Sequence, residues 1–247
     1  MLPDSYTNYI FDLYGTLVDI HTDEDSAFVW EKLSLFMSYH GAQYSPLNLK
    51  NAYLELVKKE QALLITKKPA MIDRNDSHEA TPEIDIKAVF QKLYTNKDVD
   101  ATEELVLHTG QFFRALSTEY IRLYPGTKAM LTALKSSKKR VYLLSNAQRI
   151  FTAYELQCLG LTDYFDDIFI SSDYGTKKPD SAFFNALINA HKLDVKKSIY
   201  IGNDSICDIY GASRLGMDTF YVHSNISPKG DSAENATYSI TNFAGWN

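Results

Sequence analysis

Two textures of hydrophobic patterning divide the chain. Between about Thr22 and Leu123, apolar residues recur at intervals of three and four: Trp30, Leu33 and Met37; Leu49, Tyr53, Leu56 and Leu63; Ile86, Val89, Phe90 and Leu93; Phe113, Leu116, Tyr120 and Leu123. That spacing predicts four amphipathic helices whose aromatic stripes are core packing. Start signals stand before them in Asp23-Glu24-Asp25, Pro46, Pro82-Glu83, and Asp100 with Glu103 three residues on. The stretch Lys67 to Thr81, with Pro69, Asp73, Asn75, Asp76 and Ser77, reads as a long polar loop.

From Pro125 onward the pattern alternates. Helices are predicted over 128–134, 150–159, 181–191 and 206–215, and strands over 140–144, 168–170, 198–201 and 219–222. Strand–helix alternation implies right-handed crossovers and a mostly parallel sheet. The apolar run Tyr9-Ile10-Phe11 is a buried strand that must join this sheet, so the helical block is an insertion. The fold class is therefore α/β, a doubly wound, mostly parallel sheet with an inserted four-helix cap domain. The expected boundaries are 1–18 for the start of the core, 19–123 for the cap and 124–247 for the rest of the core.

Composition narrows the function. With 247 residues, 45% hydrophobic and 23% charged, the chain can bury one core plus the insertion. A net charge of −6, with Ser136-Ser137-Lys138-Lys139-Arg140 as its strongest basic cluster, argues against nucleic acid or an anionic membrane as partner. Those cations fit a helix C-terminus. No basic segment leads into an apolar stretch and no run approaches a bilayer span, so a cytoplasmic protein is expected. Cys158 and Cys207 fall in different predicted helices and read as free thiols.

Parallel sheets deliver their chemistry at strand carboxyl ends, and four polar segments fall there. Asp12 ends the first strand. Ser145-Asn146 follows Val141-Tyr142-Leu143-Leu144, Lys178 precedes Pro179, and Asp204 and Asp208 stand four residues apart where a strand becomes a helix. Taken singly, Asp12 is either a functional carboxylate or a turn cap, Ser145-Asn146 are ordinary turn residues and Lys178 a solvated lysine. Together the carboxylates make a hard, oxygen-lined site suited to Mg²⁺.

These segments resemble the four motifs of the haloacid dehalogenase superfamily of hydrolases. Phe11-Asp12-Leu13-Tyr14-Gly15-Thr16-Leu17 looks like the first motif and Leu144-Ser145-Asn146 the second. Gly175-Thr176-Lys177-Lys178-Pro179-Asp180 looks like the third, and Asn203-Asp204-Ser205 through Asp208-Ile209-Tyr210-Gly211-Ala212 the fourth. The similarity extends through Tyr124-Pro125-Gly126 and Leu159 to Asp166, while the cap matches in architecture alone. The resemblance implies a Rossmann-like core and an aspartyl nucleophile, Asp12. Mg²⁺ would be held by Asp12, the Tyr14 backbone carbonyl and Asp204. Thr16, Ser145, Asn146 and Lys178 would bind the transferring group, with Asp208 supporting the lysine or a metal-bound water.

One position departs from the phosphatases of that superfamily, which usually carry an acid/base aspartate two residues after the nucleophile. Here it is Tyr14, a poor base at neutral pH with a reference pKa of about 10. Tyrosine there also occurs in the superfamily's 2-haloacid dehalogenases, whose halide leaves without a proton. Those enzymes are expected to use an early cap arginine, yet Thr22 to Asp73 holds none, and Arg74 and Arg114 come only later. The leading expectation is Mg²⁺-dependent hydrolysis of a small phosphomonoester. The alternatives are a dehalogenase-like hydrolase and a catalytically impaired phosphoester-binding protein.

His21 is a substitute proton donor or a linker residue without a role. Asn203 adds a ligand or fits the turn, Cys207 packs, and Asp166 and Asp167 are solvated turn residues. A closing helical cap favours a small soluble substrate, and its aromatics, Tyr39, Tyr44 and Tyr53 among them, leave room for a homodimer surface.

Overall fold

The computed structural model describes residues 2–67, 82–232, 234–241 and 243. The expected polar loop, apart from Lys67, and Arg74 with it, lie outside them. The chain forms two compact units. One comprises Met1–Ile20, Ile121–Ala147 and Leu156–Asn247, the other His21–Tyr120 and Gln148–Glu155.

The first unit is built on a six-stranded sheet. Its strands are β1 (Asn8–Phe11), β4 (Arg140–Ser145), β5 (Asp167–Ile170), β6 (Ser198–Gly202), β7 (Asp218–Val222) and β8 (Tyr238–Ile240), in the order β5-β4-β1-β6-β7-β8. Every neighbouring pair runs parallel. β1 lies between β4 and β6, with Phe11 opposite Leu143 and Ile201. Side chains alternate between two cores. Tyr9, Phe11, Val141, Leu143, Ile199 and Ile201 pack with Met130 and Leu131 of α5 (Thr127–Ser136). Ile10, Tyr142, Leu144 and Tyr200 pack with Phe183, Phe184 and Leu187 of α8 (Ser181–His191). Burial on both faces explains why these strands read as continuous apolar runs.

The second unit holds α1 (Ala27–Tyr39), α2 (Pro46–Lys67), α3 (Ile86–Thr95) and α4 (Glu103–Ser117). Their apolar stripes meet in one core around Phe113, whose ring lies within 5.5–6.2 Å of Trp30, Tyr53, Phe90 and Phe151. The caps of the last two helices differ from the expected residues. Asp85 accepts from the Lys87 N–H and Thr102 from the Leu105 N–H, because those side chains sit at the last extended residue before each helix. Gln148 joins this unit through hydrogen bonds to the Ile86 N–H (2.8 Å) and the Ile84 carbonyl (2.8 Å).

Other elements depart from the sequence pattern. The fourth helix was expected to reach Leu123 but ends at Ser117, and Thr118–Leu123 forms strand β3. Thr118, Tyr120 and Ile121 favour extended backbone, and β3 pairs with β2 (Val18–Thr22) in a two-stranded ribbon. β8 was not predicted, its three residues being mostly exposed. The helix expected over 206–215 is present as a π-helical turn over Ser205–Tyr210, in which Ile209 donates to the Asp204 carbonyl five residues back, continued by a short α-helix over Gly211–Ser213. Asp166, expected in solvent, accepts from the Val141 N–H (2.7 Å) and pairs with Lys135.

Candidate active site

Asp12 is the first residue past β1, and its N–H still donates to the Ile201 carbonyl (2.9 Å), so the sheet fixes its backbone. Its side chain is nearly buried. Oδ1 accepts from Ser145 Oγ (2.8 Å), at the end of β4, and from Lys178 Nζ (2.8 Å). Among the described residues nothing donates to Oδ2. One carboxylate oxygen is thus held from two sides while the other stays open.

Lys178 lies in the turn between α7 (Ser171–Tyr174) and α8, before a cis peptide to Pro179. Its side chain is 2% exposed, and Nζ donates to Asp12 Oδ1, Asp208 Oδ1 (2.6 Å) and the Tyr200 hydroxyl (2.8 Å). Burial alone would pull the ammonium's pKa down, but the Asp12 and Asp208 carboxylates outweigh it and hold the group protonated. The expectation of a lysine aimed into the site fits, and the solvated alternative does not.

Asn146, expected to bind phosphate, is committed elsewhere. Its Nδ2 donates to the Lys178 carbonyl (3.0 Å) and its Oδ1 accepts from the Lys178 N–H (2.8 Å). An amide that satisfies both backbone groups of one residue fixes that residue's position. Thr16 is also engaged: its buried hydroxyl donates to Asn203 Oδ1 (3.3 Å). Asn203 in turn packs over Gly15, where φ is +83° and a Cβ would stand 2.2 Å from Asn203 Nδ2. Asn203 therefore fits the turn and ties the first motif to the fourth. Gly15→Ala is expected to displace it and to cost about 1–3 kcal/mol, read as a lower urea midpoint together with lost activity.

Asp204 caps the wide turn, its Oδ1 accepting from the Ile206 (2.8 Å) and Cys207 (2.7 Å) N–H groups, and nothing described donates to its Oδ2. Asp208 is fully enclosed. Its Oδ2 accepts from the Asn203 (2.9 Å) and Asp204 (3.0 Å) N–H groups, and its Oδ1 from Lys178. Burial pushes its pKa up to about 7, with the Lys178 ammonium pulling the other way. A Cβ on Gly202 would lie 2.2 Å from Asp208 Oδ2, so this carboxylate needs glycine at the end of β6.

The donor set fits Mg²⁺. Asp12 and Asp204 each keep a carboxylate oxygen that no described group occupies, whereas Asp208 is used up by the lysine and two amides. No group of three or more His, Cys, Asp or Glu gathers among the described residues. Mg²⁺ needs only one or two carboxylates, completing its shell with water and substrate oxygens.

Tyr14 is half-buried in the tight loop after Asp12, which Gly15 closes by donating to the Val18 carbonyl (2.8 Å). His21 lies in the second unit, paired with Glu119 (3.1 Å) and stacked on Tyr120. In the same unit, Arg114 pairs with the buried Glu155 (2.6 Å) and lies over the Phe151 ring. Cys207 is buried and Cys158 exposed, both unbridged. Asp167 pairs with His191 (2.8 Å). Tyr200 was missed by sequence reasoning, since a tyrosine inside a buried strand reads as core.

Comparison with known proteins gives the family and the fold. A family model of haloacid dehalogenase-like hydrolases matches residues 6–216. A phosphoglycolate phosphatase of Agrobacterium fabrum is 29% identical over 213 residues, covering 86% of this chain and 78% of that protein. A glyceraldehyde 3-phosphate phosphatase of Pyrococcus abyssi is 28% identical over 102 residues, 41% of this chain and 43% of that protein. The chain thus spans under half the length of the glyceraldehyde 3-phosphate phosphatases it matches. A 2-haloacid dehalogenase structure from Pseudomonas syringae superposes with a TM-score of 0.58 at 18% identity, over 97% of this chain and 95% of that one. At that identity the likeness shows the fold alone. No described helix is long and apolar enough to cross a membrane.

Proposed function

The chain belongs to the haloacid dehalogenase-like hydrolases, and on that premise we propose that it hydrolyses small phosphomonoesters through Asp12, with Mg²⁺ as cofactor. The observation that carries this reading is the state of the Asp12 carboxylate. Lys178 and Ser145 grip one oxygen and leave the other open at the carboxyl edge of the sheet. A carboxylate so fixed has its attack geometry set before substrate arrives, which is where much of the rate of phosphoryl transfer originates.

Asp12 attacks phosphorus, the P–O bond to the leaving group breaks, and a phosphoaspartyl intermediate forms; water then attacks that phosphorus and returns the free carboxylate and inorganic phosphate. The Lys178 ammonium and the Ser145 hydroxyl stand beside the reacting carboxylate to balance charge on the phosphoryl oxygens. Asn146 fixes the backbone of Lys178, and Asp208 fixes its ammonium. Asp12, the Tyr14 carbonyl and Asp204 would hold Mg²⁺, which supplies charge neutralisation when bound.

Tyr14 sets the rate. A positioned acid/base is worth roughly 10²–10⁴-fold, so turnover is slow compared with phosphatases that carry aspartate there. The dehalogenase reading draws less support, because Arg114 and Arg122, the described arginines of 19–123, are engaged by Glu155 and Asp19 and several sequence relatives are named phosphatases. Tyr14 also favours a second reading, a phosphoester-binding protein without turnover.

A panel of phosphomonoesters assayed for phosphate release tests this. Activity in Mg²⁺, lost in EDTA and restored by added Mg²⁺, is the expected result. Absence of release on every compound overturns the hydrolytic reading, and phosphoester binding with no turnover then supports the second. The substrate class is a small soluble metabolite, with no role for nucleic acid or membrane; sedimentation would test the homodimer, and the cytoplasm remains the proposed location.

A further inference from the structure

Tyr200 occupies the middle of β6, facing the α8 core, where its ring meets Phe184 edge-on at 5.3 Å. The residue is fully buried. Packing alone would be served equally by phenylalanine, so the hydroxyl requires its own account. It accepts from Lys178 Nζ (2.8 Å) and donates to the Leu144 carbonyl (2.8 Å). Leu144 immediately precedes Ser145, the other donor to Asp12 Oδ1. Because β4 and β6 flank β1, this hydroxyl reaches past the nucleophile's strand and links the middle of β6 to the end of β4.

An ammonium has three hydrogens, and Lys178 has three acceptors in Asp12, Asp208 and Tyr200. Two of those acceptors are carboxylates that compete for the charge. The third is neutral and anchored to the backbone of β4. We infer that Tyr200 is a positioning residue that fixes the Lys178 ammonium on Asp12 Oδ1 and keeps it in register with the β4 end that presents Ser145. Burial pushes the phenol's pKa well above its ordinary value, so the hydroxyl keeps the proton it donates to Leu144.

In its kinetic consequence this assignment rests on the hydrolytic reading; in its structural consequence it does not, and two measurements separate them. The first is ¹⁵N-lysine ammonium NMR at low temperature on the whole protein, with the Lys178 signal assigned by its loss in Lys178→Arg. A protected Lys178 signal is expected in the natural protein and is expected to vanish or shift in Tyr200→Phe. An unmoved signal, or none in the natural protein, overturns the inference. The second is steady-state kinetics of Tyr200→Phe on whichever phosphomonoester is turned over. A kcat lower by about 10-fold, with KM within twofold, is expected for a lost hydrogen bond to a charged group. An unchanged kcat, or a fall borne by KM, overturns it. Should the natural protein turn over no phosphomonoester, the hydrolytic reading fails and the NMR result alone decides the role of Tyr200.

Discussion

On the proposed hydrolytic reading, Asp12→Asn is expected to remove phosphate release, by about 10³-fold or more, while leaving the fold in place. The amide is the same size as the carboxylate and its Oδ1 can still accept from Ser145 and Lys178, so the contacts that hold Asp12 survive in part. What disappears is the negative charge that attacks phosphorus, since an amide oxygen is a far weaker nucleophile. Phosphate release measured beside a urea titration checks the claim. Retained activity at a few per cent or more would place the nucleophile elsewhere, and a collapsed urea midpoint would make the loss one of folding.

Lys178→Met carries the second large effect, and it falls on stability as well as rate. The methionine fills the stem's space but leaves Asp12 and the enclosed Asp208 facing each other without a cation. Removing one partner of a buried pair costs about 3–5 kcal/mol. The sign of its pH dependence follows from two groups. The lysine's pKa is raised in the fold, so its stabilisation is fully present below the ordinary lysine value of about 10.4 and is lost only as pH climbs through the raised one. Asp208 is already pushed up to about 7 by burial, and without the ammonium it goes higher. In the variant the folded state then binds a proton that the unfolded state releases, so the variant loses stability as pH rises from 6 to 8. The gap between variant and natural protein widens over that range in urea titrations, and adding Asp208→Asn narrows it. A gap that is flat with pH and untouched by the second substitution would mean that the two carboxylates do not share the lysine.

The layout of the first unit could be read from the chain because each buried strand ends on a polar residue. Tyr9-Ile10-Phe11 stops at Asp12, Val141 to Leu144 at Ser145, and Ile199 to Gly202 just before Asp204, and parallel pairing brings those ends to one edge. What pattern could not give is the direction of a polar group. Asn146 and Thr16 have the chemistry of phosphate ligands, yet Lys178 and Asn203, distant in sequence, take up their hydrogen bonds. Tyr200 was hidden for the converse reason: hydrophobic alternation sees its ring and not its hydroxyl. The β3 error has another origin. Phe113, Leu116, Tyr120 and Leu123 keep helical spacing by coincidence across Ser117, where the backbone turns extended to meet β2. The helix expected over 206–215 is present through Ser213 but opens wide at its start, because the Asp204 carbonyl accepts from both Asp208 and Ile209.

The central position of β1 bears on how the protein is made. Asn8–Phe11 leaves the ribosome well before its partners, Arg140–Leu143 and Ser198–Ile201. The second partner emerges roughly 190 residues later, which at about 5–20 residues per second is on the order of 10–40 s. The strand that ends at Asp12 has both edges unpaired until Arg140–Leu143 emerges, and one edge unpaired from then until Ser198–Ile201 follows. The helices encoded directly after it make mainly local contacts and can order first. Nascent chains stalled before residue 198 should therefore hold this strand open to chaperones, and chains released beyond it should not.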